Sequence, residues 1–166
     1  FALSLLCQMG IATIFALSYN MLLGQTGLLS FGHAVYFGLG AFCAMHALRW
    51  AGASGGGGAW VVVALPLVGG LGGLIAGIVL GAITTRRAGT IFAMISLGVG
   101  EMVASIAPMF PALFGGEAGL NANRVFGAPL FGITFGPQRQ VYYLIVAWAL
   151  VAAWGMHALT RTPLGR

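Results

Sequence analysis

Apolar positions run along this chain in long uninterrupted stretches, and polar positions break them at only a few places. A bilayer crossing needs about 20 predominantly apolar residues. Runs of that order, charge-free apart from Glu101 in the fourth, cover about Phe1 to Leu23, Leu28 to Leu48, Ala59 to Thr84, Ile91 to Phe110 and Val141 to Thr160. The pattern predicts an all-α, polytopic transmembrane helix bundle of about five spans, in a single domain over residues 1–166. Gly55-Gly56-Gly57-Gly58 marks a loop between the second and third spans, since consecutive glycines disfavour a helix.

The most informative interruption is Gly24-Gln25-Thr26-Gly27-Leu28-Leu29-Ser30-Phe31-Gly32-His33-Ala34. Within hydrocarbon an unsatisfied polar group costs several kcal/mol, so a Gly-rich helix break with hydroxyl and imidazole groups belongs beside protein or a water-filled pathway. The break is placed near residues 24–32, and Gln25, Ser30 and His33 are predicted to face that interior rather than lipid. Glu101 lies about midway along the fourth span, where a carboxylate is rare enough to mark function by default. It has two readings: a group lining a polar pathway, or a buried tie between helices, with Ser105 one turn further on the same face.

Glycine placement adds a packing surface. Gly69, Gly73, Gly77 and Gly81 recur every four residues, which puts them on one face of the third span and lets a neighbouring helix approach closely.

Composition narrows the class. Only 5% of residues are charged, against about 25% in soluble domains, so this is an integral membrane protein. Its net charge of +5 comes from arginines scattered between apolar spans. That is the distribution of loop charges that orient helices, not of a nucleic-acid surface. Arg86 and Arg87, and then Arg161 and Arg166, are separated by two crossings and share one side, which the positive-inside rule makes cytoplasmic. The segment Pro111 to Gln140 is then external. Phe1 is external if Leu28 to Leu48 crosses fully and cytoplasmic if that segment re-enters. The chain opens on Phe, with no basic segment before the first apolar run, and is expected to be a fragment rather than to begin with a signal peptide.

Several chemistries are disfavoured. Cys7 and Cys43 lie inside apolar runs and behave as small hydrophobes. His33, His46 and His157 lack metal-ligand spacing, so no metal site is expected. The Ser30 to His33 spacing hints at a nucleophile and base. However, the Gly-x-Ser-x-Gly elbow is absent and Glu101 is the sole intramembrane acid, so no catalytic residue is assigned. The chain has no Lys, hence no phosphate-binding loop of the Gly-x-x-x-x-Gly-Lys-Ser/Thr type, and it cannot hydrolyse ATP through one.

Together these residues resemble a known family. Asn20 to Ala34 followed by Tyr36-Phe37-Gly38-Leu39-Gly40-Ala41 is similar to the signature of the permease subunits of branched-chain amino acid ABC importers. In the family's order come Arg86 to Met94, similar to its short basic loop and following span, and Leu97-Gly98-Val99-Gly100-Glu101, similar to its intramembrane glutamate motif. Gly115-Gly116-Glu117-Ala118-Gly119-Leu120 resembles its external turn, and Thr162-Pro163-Leu164-Gly165-Arg166 the start of its cytoplasmic coupling loop.

The resemblance implies a multi-pass permease of the inner (plasma) membrane, not an enzyme, with no cofactor of its own. Its implied partners are a second related permease, cytoplasmic ATPase subunits that hydrolyse ATP, and a periplasmic or extracellular substrate-binding protein. The ATPase-coupling residues are expected beyond Arg166. Urea and short-amide permeases share the Ser-x-Gly-His signature, and a proton-coupled secondary transporter using Glu101 or His33 is the alternative from another class.

Overall fold

A computed structural model of the chain describes residues 1–54, 58–85, 89–116, 119–125, 127, 129 and 132–162. Among them are six helices and no strand: α1 (Ala2–Thr26), α2 (His33–Ala53), α3 (Ala59–Thr84), α4 (Thr90–Met109), the single turn α5 (Pro111–Phe114) and α6 (Gln138–Thr160). The all-α reading stands, but the span count changes. Four helices, α1, α3, α4 and α6, are long and apolar enough to cross a membrane, where five spans were expected. The expected second span became α2, displaced from Leu28–Leu48 to His33–Ala53. It is long enough to cross, but it carries His33, His46 and Arg49 together, and this polar load keeps it out of the apolar set.

Local chemistry sets the helix ends. The first helix continues through Gly24 and Gln25 and stops at Gly27, whose left-handed backbone (φ 64°, ψ 13°) lets its N–H donate to the Leu23 carbonyl. A glycine ends helices in this way because it has no Cβ to clash. The break therefore spans residues 27–32 and Gln25 stays helical, whereas the sequence placed the break from residue 24. At the end of α4, Phe110 leaves the helical region (φ −118°, ψ 75°) directly before Pro111, as the steric demand of the proline ring requires. Pro111 then opens α5.

The helices fall into two compact units, one of Phe1–Leu28 with Phe135–Arg166, the other of Leu29–Thr134. In the first, α1 packs on α6. Gln138 Nε2 donates to Cys7 Sγ at 3.7 Å, and a Cβ at Gly10 would lie 2.7 Å from Ile145 Cγ2. Moving toward the N-terminus on α1 moves toward the N-terminus on α6, so the two helices run in the same direction.

In the second unit, α2 and α3 form an antiparallel pair with the most extensive helix packing in it. A Cβ at Gly40 would lie 2.5 Å from the Gly69 carbonyl oxygen, and one at Gly73 would lie 3.2 Å from that of Tyr36. The backbones thus approach as the small-residue rule predicts. The glycine repeat does not extend this contact along its full length. Gly77 and Gly81 have nothing within 4 Å of an added Cβ. The pairing of Gly40 with Gly69 and of Tyr36 with Gly73 would bring Gly77 opposite Gly32, which lies before α2 begins, so α3 has outrun its partner. Gly72, outside the repeat, packs on the Cys43 side chain instead.

Candidate functional site

The break is clamped onto α4 by one residue. Ser96 is buried; its Oγ accepts the Phe31 N–H at 3.1 Å and its hydroxyl donates to the Ala93 carbonyl at 2.9 Å. A Cβ at Gly32 would overlap the Ser96 carbonyl oxygen, so only glycine permits this approach. Gly100, one turn after Ser96, lies beside Gly32 and Val35, and a Cβ there would make only ordinary contacts with them, at 3.8 and 3.9 Å. The Gly32 of the signature therefore serves a close backbone crossing.

This arrangement places the predicted residues as follows. Ser30 is buried within the second unit. His33 is half-buried at the first position of α2, its ring edge-on to Tyr36 with centroids 6.5 Å apart. Gln25 belongs to the first unit, on the last turn of α1, and is exposed. Glu101 lies on α4 and lines a cleft of about 350 Å³ between α2 and α4. Its carboxyl has no hydrogen-bond or ion-pair partner among the described residues, Ser105 included.

Beyond Glu101, the cleft wall is apolar: Phe31, Val35 and Phe42 from the break and α2, Leu97 from α4, and Phe114 from α5. The space exists because both helices present small residues to it, Ala34 and Gly38 on α2, Gly100, Ala104 and Ala107 on α4. A second cleft of about 450 Å³ adjoins the first, among Cys43, His46, Gly72, Ile75 and Val79. Phe114 lines both. Its ring stands edge-to-face on Phe42 with centroids 4.9 Å apart, and His46 Nε2 donates to the neighbouring Leu113 carbonyl at 2.6 Å. That bond assigns the ring proton to Nε2, because a carbonyl can only accept.

Sequence reasoning missed three of these parts. Ser96 precedes Gly100 by one turn, a signal visible in hindsight, whereas its bond to the Phe31 amide joins positions 65 residues apart. Gly40 was quoted only as part of the signature, and its contact with Gly69 has no local sequence mark. His46 was considered as a metal ligand and set aside, and its tie to α5 depends on the turn at Phe110. Glu117 of the external turn, Arg86, Arg87 and Arg166 lie outside the described residues. Of the turn, Gly115 is left-handed (φ 80°), and a Cβ there would overlap the Gly119 carbonyl carbon.

Comparison with known proteins agrees with this architecture. Residues 1–166 match the family model described as the permease component of the branched-chain amino acid transport system. One curated relative is the high-affinity branched-chain amino acid transport system permease protein LivM of Salmonella typhimurium strain LT2, 29% identical over 174 aligned residues. The alignment covers 92% of this chain and 39% of the relative, so the chain spans about two fifths of that protein's length. No solved structure gives a significant match. With a family match along the whole chain and four helices able to cross a bilayer, the chain belongs to the permease family of branched-chain amino acid ABC transporters, which are multi-pass membrane transport components and not enzymes.

Proposed function

We propose that this chain forms one transmembrane permease domain of an ABC importer and contributes to the translocation pathway for branched-chain or other apolar amino acids. ATP is hydrolysed by separate cytoplasmic ATPases, since a chain without Lys carries no phosphate-binding loop of its own. A second related permease completes the pathway in the inner (plasma) membrane, and a soluble substrate-binding protein delivers the amino acid. The family match over residues 1–166 carries this reading, and the apolar cleft with its single carboxylate suits the substrate class. In this role Ser30, His33 and Glu101 shape the pathway beside the break, with Gln25 at the end of α1, while Gly69 and Gly73 hold α2 close to α3.

The test is uptake by the full-length permease reconstituted with its partners. Leucine uptake is expected to require the ATPase and to survive collapse of the proton gradient while ATP is held constant. Uptake that persists without the ATPase and disappears with the gradient would reject the ABC reading in favour of proton coupling. ATP-dependent uptake of urea or short amides but not of leucine would move the substrate class.

A further inference from the structure

Glu101 presents a chemical problem that the fold alone does not solve. A carboxyl midway along a membrane-crossing helix needs a partner, yet none of the described residues supplies one. It opens instead into the cleft between α2 and α4, where it is the only ionisable side chain among the described residues of the wall.

The cleft is built at both ends. At one, Phe31 is held by the bond from its amide to Ser96 Oγ. At the other, Phe114 is held by its edge contact with Phe42 and by the bond from His46 to the adjoining carbonyl. Between them small residues on both helices keep the space open. At about 350 Å³ it falls at the lower end of the range for small-molecule sites, roughly 300–1,000 Å³. Its chemistry is selective: one acceptor that can carry negative charge, surrounded by aromatic and aliphatic side chains.

We propose that this cleft is a subsite for an apolar amino acid, with Glu101 receiving the primary ammonium group and Phe31, Phe42 and Leu97 enclosing the aliphatic side chain. The proposal rests on the transporter reading above and adds the recognition chemistry. An ammonium offers three donors and a full positive charge, so its hydrogen bond to the carboxylate is charge-assisted and stronger than a neutral one. Urea or a short amide offers N–H groups without the charge, and a carboxylic acid lacking the amine brings only repulsion. The site therefore selects the amine before it selects the shape of the chain.

The experiment uses the full-length permease assembled with its second permease and ATPases in nanodiscs, without the binding protein. The probe is radiolabelled L-leucine, and the competitors are isopentylamine, which keeps the ammonium, and 4-methylpentanoate, which lacks it. Leucine is expected to bind, with isopentylamine competing and 4-methylpentanoate not. Glu101→Gln should weaken leucine binding by about tenfold or more.

Should that variant fail to assemble, the unmodified complex still decides. Dicyclohexylcarbodiimide should label Glu101, and leucine or isopentylamine should slow the labelling while 4-methylpentanoate does not. Leucine binding unchanged in the variant, equal protection by 4-methylpentanoate, or a Glu101 unreachable by the reagent without leucine would each overturn the subsite. The last result would mean that other helices of the protein or the second permease fill the cleft. If any of these accompanies normal ATP-driven leucine uptake, the subsite fails and the importer reading stands. Uptake that is independent of the ATPase rejects the importer reading whatever the labelling shows.

Discussion

Replacing Gly40 by Ala tests the backbone contact between α2 and α3 with the smallest possible change. The added Cβ would start 2.5 Å from the Gly69 carbonyl oxygen and 3.4 Å from Gly69 C and Gly73 N. All three atoms are backbone, so no side chain can rotate away. To lengthen the shortest contact from 2.5 Å to even 3.0 Å, α3 must move by about 0.5 Å, and packed interiors resist such displacement at about 1–3 kcal/mol. Against this, Ala favours a helix over Gly by roughly 1 kcal/mol. At Gly77, where nothing lies within 4 Å, only that favourable term remains.

Gly40→Ala is therefore expected to destabilise the full-length permease by up to about 2 kcal/mol net of propensity, and Gly77→Ala to leave it unchanged or slightly stabilised. Unfolding followed by circular dichroism during titration with denaturing detergent measures the difference between the two. Equal stability of both variants, or a larger loss at Gly77, would refute the backbone-contact explanation.

Two further predictions concern the break and the helix pair. Ser96→Ala removes the acceptor of the Phe31 amide, so hydrogen exchange at that amide should accelerate and stability should fall by about 1 kcal/mol. Ser105→Ala should leave Phe31 exchange as it was, and equal exchange in both variants would remove Ser96 as the clamp. Because α1 and α6 run in the same direction, single cysteines at Phe1 and Arg139 in a full-length protein lacking Cys7 and Cys43 should react with impermeant thiol reagents from the same side of the membrane. Labelling from opposite sides would contradict the parallel pairing.

Much of the candidate site was legible because membrane sequences expose their exceptions. Among so many apolar residues, Glu101, Ser30 and His33 stand out by type alone, and the bilayer makes each costly unless protein or water receives it. The parts that stayed hidden are ordinary residues made important by distant neighbours. Nothing in the sequence around Gly40 says that Gly69 lies against it, or that Phe114 returns from beyond α4 to close a cleft beginning at Phe31. The four-residue glycine spacing marked the right face of α3, but where that face stops working depends on where α2 starts.

By itself, then, the sequence determined the helical class, the membrane setting and the neighbourhood of each break, to within a few residues. Each follows from local rules: the length of apolar runs, the freedom of glycine and the steric demand of proline. Tertiary structure decided which glycines touch another backbone, that Ser96 serves the break, and that Glu101 opens into a cleft without a partner among the described residues. Those outcomes turn on the register and direction of helices far apart in the chain. A periodic pattern shows which face of a helix is suited to packing, but the partner and the depth of contact are set only when two particular surfaces meet.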